Sequence, residues 1–203
     1  ALEIADIIGI ISFALSGFLI AVYCKLDILG VFISAFLTAF GGGMTRDVLA
    51  DRTPYVFTSN LPLSLVIATV LIAMLFKLHK ITNLEGKWAF VISDAIGLSS
   101  FAITGAIIAI ESGFNFLSAV MLAFITAVGG GTIRDVLINR MPFILVSEFY
   151  ATVALIIGSV VYILDAFELR NIFSLIIVFI FGVVLRVLAY YKKWHLPTLS
   201  KEN

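Results

Sequence analysis

Two nine-residue stretches have nearly the same sequence: Gly41-Gly42-Gly43-Met44-Thr45-Arg46-Asp47-Val48-Leu49 and Gly129-Gly130-Gly131-Thr132-Ile133-Arg134-Asp135-Val136-Leu137. Outward from them the match continues without a gap over residues 6–54 and 94–142, where 23 of 49 positions are identical. Apolar matches between membrane helices arise easily from composition, whereas matched Asp, Arg, Pro and triple-Gly positions do not. The chain therefore contains an internal repeat of one structural unit.

The composition is typical of a membrane protein. Apolar residues make up 62% of the sequence and charged residues 13%, whereas soluble domains are about 45–50% apolar and about 25% charged. The net charge is zero, which gives nucleic acid no electrostatic reason to bind. The only cysteine is Cys24, and no Cys/His cluster has metal-ligand spacing, so we expect no disulfide, metal site or cofactor. No basic segment with a cleavage site starts the sequence, so we expect no secretory signal peptide.

Seven stretches are long and apolar enough to span a membrane, because about 20 apolar residues cross the roughly 30 Å hydrocarbon core. They are residues 4–22, 28–50, 60–78, 89–110, 116–138, 146–164 and 172–191. We predict an all-α integral membrane protein whose single membrane domain covers residues 1–203. Its first repeat is residues 4–78 and its second is residues 89–164. The seventh helix, residues 172–191, has no counterpart, and we expect it to be structural.

The number of spans in each repeat predicts how the two halves are related. Three spans are an odd number, so the second repeat must enter the membrane from the opposite side. The halves are then related by a pseudo-two-fold axis in the membrane plane. Inverted repeats of this kind recur in transport proteins, where the solute site lies between the repeats near the midplane.

The basic residues orient the predicted spans by the positive-inside rule. If the N-terminus is outside, Arg52 and Arg170 fall in outer connections. The inner side then receives Lys25, Lys77, Lys80, Lys87, Arg140, Lys192, Lys193 and Lys201. We therefore predict a multi-pass protein, surrounded by membrane lipid, with its N-terminus outside and its C-terminus in the cytoplasm.

The glycine triplets predict an interruption in the second and fifth spans. They are Gly41, Gly42 and Gly43, and Gly129, Gly130 and Gly131. Each glycine in a helix interior costs about 1 kcal/mol relative to alanine, and irregular backbone is tolerated in a membrane where it is buried in protein or lines a wet cavity. We expect two broken helices whose freed carbonyls can surround a cation, although the amides that follow favour an anion. The alternative, compatible with the first, is close helix packing at the glycines.

Charged residues at the ends of the spans predict buried ion pairs, because each unpaired charge costs roughly 2.5–3.5 kcal/mol in a membrane on insertion scales. The six charges are Asp6, Arg46, Asp47, Asp94, Arg134 and Asp135. Either each arginine pairs with the aspartate of the preceding span, or it pairs with the aspartate next to it in sequence. These groups can set the electrostatics of two pore mouths, cap the helices as structural salt bridges, or do both. Nearby hydroxyl residues either line a cavity or hydrogen-bond between helices: Ser12, Ser16, Ser100 and Thr104.

The doubled Gly-Gly-Gly-x-x-Arg-Asp-Val-Leu element, with Asp-x-x-Gly-x-x-Ser-Phe-Ala at the start of each half, resembles the prokaryotic branch of the trimeric intracellular cation (TRIC) channel family over roughly residues 4–191. The resemblance implies a homotrimer in a prokaryotic plasma (inner) membrane with one pore in each subunit. It also implies that each pore is kinked at the glycine triplets and passes monovalent cations, chiefly potassium. The lysine-bearing signature of the animal members is not evident, so the resemblance does not extend to phosphoinositide or calcium control.

Two other functions compete with a channel. Inverted repeats with broken helices also suit a secondary transporter of a small solute, and some bacterial relatives in this resemblance are described as glycine transporters. An intramembrane enzyme is the third hypothesis, but no Ser/His, Asp/Asp or zinc-ligand pair is visible within the spans. We therefore predict a protein that is not an enzyme.

Overall fold

The computed structural model describes residues 2–80, 84–146 and 149–194, which are helical with no β-strand among them. Lys201, one of the residues predicted on the inner side, lies outside the described residues. The helices in these residues are α1 (Leu2–Tyr23), α2 (Ile28–Leu49), α3 (Tyr55–Thr58), α4 (Leu61–Leu75), α5 (Leu84–Glu111), α6 (Phe116–Leu137), α7 (Phe143–Val146), α8 (Tyr150–Ala166) and α9 (Ile172–Tyr191). A turn of 3-10 helix, Leu78–Lys80, follows α4. The prediction of an all-helical protein is confirmed.

The helices α1–α4 and α5–α8 follow one another in the same order and with similar lengths. The helices α2 and α6 have 22 residues each, and α3 and α7 have 4 each. Asp27 accepts a hydrogen bond from the Gly30 amide at 2.7 Å, and Asn115 accepts one from the Ser118 amide at 3.0 Å. Such a side chain pairs an amide that the helix itself leaves open, so α2 and α6 begin at equivalent positions of the repeat.

The core lies where α1, α2, α5 and α6 meet, with α1 packed against α5 and α2 against α6. Phe13 and Phe101 meet edge to face there, with ring centroids 5.1 Å apart. Each ring lies against a glycine of the opposite helix, Gly97 or Gly9. The helix α4 lies on α1, α8 lies on α5 and α6, and α9 lies on α5 and α8. The helix α9, which has no counterpart in the first half, therefore makes its main contacts with helices of the second half.

Five of the described helices are long and apolar enough to cross a membrane, namely α1, α2, α5, α6 and α9. The third and sixth predicted spans, 60–78 and 146–164, are shorter helices of 15 and 17 residues, Leu61–Leu75 and Tyr150–Ala166. Each is preceded by a four-residue helix. Hydropathy alone does not separate each four-residue helix from the longer helix that follows it, because both are apolar.

Both glycine triplets lie inside unbroken helices, since α2 and α6 are helical from end to end. The predicted interruption is therefore wrong, and the carbonyl groups there are not freed by a break. Thr45 Oγ1 donates to the carbonyl of Gly41 at 2.7 Å, and Thr132 Oγ1 donates to that of Val128 at 2.9 Å. Such bonds from a side chain back to the preceding turn often bend a helix.

Candidate functional site

The helices α2 and α6 cross at the first two glycines of each triplet, and the contact is reciprocal. A methyl group on Gly42 would lie 2.0 Å from the carbonyl oxygen of Thr126, and one on Gly130 would lie 2.1 Å from that of Thr38. A methyl on the first glycine of either triplet would lie 3.0 or 3.2 Å from a glycine Cα in the other helix. Small residues let membrane helices approach this closely, so these four glycines pack the two halves together.

The third glycine of each triplet points away from the crossing. A methyl on Gly43 would have Arg46 Nη2 as its nearest neighbour at 4.0 Å, and one on Gly131 would have Arg134 Nη2 at 3.7 Å. Gly43 is half-buried, whereas Gly131 is buried. Each triplet therefore has two packing positions and one position that faces the space beside an arginine.

Arg46 is the centre of a buried network in the first half. Its Nη1 atom donates to Asp6 Oδ1 at 2.7 Å, and its Nε atom donates to Asp47 Oδ1 at 2.8 Å. Both pairings that the sequence left open therefore occur at this arginine. The Nη1 atom also donates to Thr104 Oγ1 at 2.9 Å. Thr104 belongs to the second half, so the network joins the two repeats.

Arg134 lies in a different network in the second half. Its Nε atom donates to Asp135 Oδ1 at 2.9 Å. Its Nη1 atom reaches Ser16 Oγ at 3.4 Å, and that hydroxyl donates to Asp94 Oδ1 at 3.1 Å. The buried Tyr150 lies near the Asp94 carboxylate. The pairing of Asp94 with Arg134 thus runs through a serine hydroxyl, unlike the direct pair of the first half.

The aspartates next to the arginines hold the short helices in place with their second oxygen. Asp47 Oδ2 accepts the Tyr55 amide at 3.0 Å, and Asp135 Oδ2 accepts the Phe143 amide at 2.9 Å. These amides begin α3 and α7, where a helix cannot satisfy its own N–H groups. Each Arg-Asp pair therefore fixes the chain as it turns back after the long helix, which supports the structural interpretation of these charges.

A pocket opens beside the Arg46 network. Its empty volume is about 280 Å³, part of which is open to the surroundings. Most of its lining is apolar, including Phe40 and Phe101, and its charged groups are Asp6, Arg46 and Asp47. Gly43 also lines it, which places the outward-facing glycine of the first triplet on this pocket.

All six predicted charges are buried in the subunit, with exposed fractions from 1% at Arg134 to 7% at Asp6. Buried charges are stable only when they are paired and hydrogen-bonded. The two networks provide this at both arginines, whereas the second oxygen of Asp94 has no hydrogen-bond partner among the described residues. The Arg46 network holds two carboxylates and one guanidinium, so its formal charge is −1. This is a local environment that attracts a cation and repels an anion.

Sequence reasoning missed Arg186 and Tyr150. Arg186 is on α9 and is 1% exposed, and Asp94 is within its electrostatic reach. Its signal was present, because an arginine in the middle of the most apolar span needs a buried partner. Tyr150 gave no such signal, because tyrosine is common in membrane helices near their ends.

A family model described as "Glycine transporter" matches the chain twice, over residues 3–78 and 91–166. The two matches are offset by the same 88 residues as the repeat in the sequence. The UPF0126 membrane protein YvgT of Bacillus subtilis is 37% identical over 201 residues, which cover 98% of this chain and 97% of that protein. The UPF0126 inner membrane protein YadS of Escherichia coli K12 is 41% identical over 157 residues, which cover 77% of this chain and 75% of that protein.

Solved structures similar to this chain include cation channels. A prokaryotic TRIC channel crystallised in 0.5 M KCl superimposes with a TM-score of 0.87 at 36% identity, covering 96% of this chain and 98% of that one. The TRIC channel orthologue from Rhodobacter sphaeroides superimposes with a TM-score of 0.86 at 28% identity, covering 95% of this chain and 98% of that one.

Proposed function

Because this chain belongs to the UPF0126 membrane protein family, the prokaryotic branch of the TRIC family, we propose that it is a cation channel with one pore in each subunit. The observation that carries the proposal is the superposition on solved cation channels over 95–99% of the chain. The negative formal charge of the Arg46 network agrees with a cationic solute. A monovalent cation, chiefly potassium, is the solute that we propose.

The proposed membrane arrangement has seven spans in two inverted repeats. Contacts at the helix ends support it. Arg52, after α2, lies 3.5 Å from Glu111 at the end of α5, and Arg140, after α6, lies over the ring of Tyr23 at the end of α1, 5.6 Å from its centroid. Since α1 and α2 are joined by a short turn, as are α5 and α6, these contacts support opposite directions for α1 and α5.

We propose an inner-membrane location with the N-terminus outside and the C-terminus in the cytoplasm. Trp88 meets Tyr190 edge to face, with ring centroids 5.4 Å apart, and Trp194 meets Phe149 at 6.0 Å. Tryptophan and tyrosine gather at membrane–water interfaces. Lys87, Lys192 and Lys193 are next to this aromatic group in sequence, which supports an interface on the positively charged, cytoplasmic side.

The proposed pore follows the outward-facing glycines, Gly43 and Gly131. Because α2 and α6 are unbroken, a kink in the pore at either glycine triplet is a bend in a continuous helix. The hydrogen bonds from threonine hydroxyls to the carbonyls of Gly41 and Val128 favour such a bend. Helix packing and pore lining are then divided among the glycines of one triplet. The four packing glycines fix the crossing, and the third glycine keeps the path free of a side chain.

A secondary transporter of glycine is the second candidate, which the description of the matched family model favours. Purified protein in planar bilayers separates the two. Discrete current steps in potassium chloride support the channel, whereas saturable glycine uptake into liposomes without current steps supports the carrier.

Gly43→Leu is expected to reduce potassium flux strongly in liposomes while the protein stays folded, because the side chain would extend into the pocket and not into α6. Gly43→Ala is the matched control. It adds one methyl to open space and favours the helix by about 1 kcal/mol, so we expect flux close to that of the parent. A folded Gly43→Leu protein with parental flux would show that this pocket is not part of the pore.

The native protein is expected to be a homotrimer, as the family implies. Native mass spectrometry from lipid nanodiscs should give three times the subunit mass as the dominant species. Large apolar side chains on α9 are exposed in the single subunit, with Phe173 at 75% and Ile177 at 67%, and contact with other copies or lipid would cover them. A dominant monomer or dimer would contradict the trimer. The planar-bilayer recordings would then test the channel proposal on their own.

A further inference from the structure

Two arginines in equivalent places of the repeat have different partners. Arg52 follows α2 and Arg140 follows α6, 88 residues later. Arg52 Nη1 lies 3.5 Å from Glu111 Oε2, so its charge is paired. The position of Glu111 is occupied in the first half by Tyr23, and Arg140 lies over that ring, 5.6 Å from its centroid. In the described part of the chain Arg140 forms no ion pair with a carboxylate.

A second basic residue lies beside Arg140. Arg140 Nη1 donates to Cys24 Sγ at 3.4 Å, and the residue after this cysteine is the exposed Lys25. In the other half the position of Lys25 is occupied by Gly113. The nearby Asp27 is engaged in capping α2, because it accepts the Gly30 amide. The two basic side chains therefore remain available to a ligand at the surface.

The equivalent surfaces differ in the sign of their charge. We call residues 23–27 with 139–140 the inner corner, and residues 111–115 with 51–52 the outer corner. The inner corner has two basic groups and one carboxylate, which gives a formal charge of +1. The outer corner has one basic group and two carboxylates, which gives −1. One structural unit thus presents a cationic surface on one side of the protein and an anionic surface on the other.

The ends of the long helices follow the same distribution of charge. Two residues past the last residue of α1, α4 and α9, at the proposed inner side, the chain has a lysine with φ between 51° and 57°: Lys25, Lys77 and Lys193. The same place after α2 and α8, at the proposed outer side, is occupied by Asp51 and Glu168. Glycine is the usual residue in this left-handed position. The helix dipole favours the lysines but disfavours the two acids, so the sign follows the side of the membrane and not the helix end.

We propose that the inner corner binds the phosphate of an anionic phospholipid headgroup. Tyr23 is the last residue of α1, a helix long enough to cross a membrane, and it is 66% exposed, as suits a tyrosine at the membrane–water interface. The guanidinium of Arg140 offers paired N–H donors that match phosphate oxygens, and Lys25 adds a second positive charge. A lipid headgroup is held at this level by the bilayer. The inference goes beyond the proposed conduction and does not depend on which solute passes.

Cys24, the only cysteine of the chain, is a local probe of this site because Arg140 contacts its thiol. The rate of its labelling by a maleimide is measured in nanodiscs of phosphatidylglycerol and of phosphatidylcholine. A headgroup bound at Arg140 should shield the thiol, so labelling should be slower in phosphatidylglycerol by about fivefold or more, the preference that one basic side chain near the surface gives an anionic lipid. Ser112→Cys in a Cys24→Ser background is the matched control. It lies at the equivalent place of the outer corner, so it records the general effect of a negative surface without the proposed site.

Two sets of variants test the residues themselves. Lys25→Gln with Arg140→Gln should make the ratio of the two labelling rates equal to that of the Ser112→Cys control, whereas Arg52→Gln should leave the ratio at Cys24 unchanged. Conversely, Glu111→Tyr with Gly113→Lys, added to the Ser112→Cys protein, should give the outer corner the lipid dependence of the inner corner. A lysine suits this place, because Lys25 has φ 57° in the equivalent one and no atom lies within 4 Å of a methyl on Gly113.

Equal slowing by phosphatidylglycerol at Cys24 and at Ser112→Cys would overturn the proposed site, as would an unchanged ratio in the Lys25→Gln, Arg140→Gln protein. Inorganic phosphate added to the phosphatidylcholine nanodiscs distinguishes a lipid from a soluble anion. It should leave the labelling of Cys24 unchanged, and slowing equal to that by phosphatidylglycerol would contradict a lipid ligand. The measurements involve no ion flux, so a failure of the channel proposal would leave this inference standing, and the reverse also holds.

Discussion

Gly42→Ala is expected to prevent the folded protein from accumulating, although it adds a single methyl group. That methyl would lie 2.0 Å from the Thr126 carbonyl oxygen, and this oxygen belongs to the backbone of α6, which cannot turn aside as a side chain can. Overpacking a core typically costs about 1–3 kcal/mol. We expect more here, because relief requires two whole helices to separate at the centre of the molecule. Gly130→Ala should behave alike, since its methyl would lie 2.1 Å from the Thr38 carbonyl oxygen.

Gly43→Ala is the matched control, because it changes the next residue of the same helix, where the nearest atom outside the local helix backbone is Arg46 Nη2 at 4.0 Å. The measurements are the yield of monodisperse protein in detergent and its midpoint of thermal unfolding. We expect Gly43→Ala to match or exceed the parent and the other two alanine variants to give little or no folded protein. If Gly42→Ala unfolds within a few degrees of the parent, the crossing of α2 and α6 is wrong.

The glycine triplets also mark the limit of what the sequence could predict. Their positions in the repeat are enough to identify two symmetric elements that meet, and they do meet. Whether a glycine breaks its helix or lets it pack closely against another helix depends on the residues beside it in space. Those residues belong to a helix that is distant in sequence. From sequence alone Gly42→Leu would narrow a pore in an assembled protein. Because the Thr126 carbonyl lies against Gly42, the substitution that can narrow a pore in a folded protein is Gly43→Leu.

The charge networks show the same division between what is repeated and what is not. Matched Asp and Arg positions predicted that each half holds an ion-paired arginine, and each does. The bridge through Ser16 and the supply of Arg186 by α9 could not be predicted from the repeat. Ser16 and Thr104 occupy equivalent positions and both accept from an arginine, yet the Ser16 hydroxyl donates to an aspartate and the Thr104 hydroxyl donates to a backbone carbonyl of its own helix. The asymmetry enters with α9, which has no second copy to compare.

Arg46→Gln is expected to destabilise the protein by about 3–5 kcal/mol, because it leaves Asp6 and Asp47 buried without their cation. Adding Asp6→Asn removes one of the stranded charges and should recover part of the loss. The double-mutant cycle in chemical unfolding should therefore give a coupling energy toward the upper end of the roughly 0.5–3 kcal/mol range for residues in contact. The direct distance of 2.7 Å between the two charged groups is the reason.

The equivalent cycle in the second half is the matched control, and its coupling energy should be smaller. Asp94→Asn leaves Arg134 paired with Asp135, while Arg134→Gln still leaves Arg186 near the carboxylate. Arg134 reaches Asp94 only through the Ser16 hydroxyl, at 3.4 Å and then 3.1 Å, so removing both partners relieves less than in the first half. Adding Arg186→Met to the Arg134→Gln protein should then make Asp94→Asn stabilising, because the carboxylate would otherwise be buried alone. Equal coupling energies in the two halves would mean that the bridge through the Ser16 hydroxyl couples its charges as strongly as the direct contact between Arg46 and Asp6.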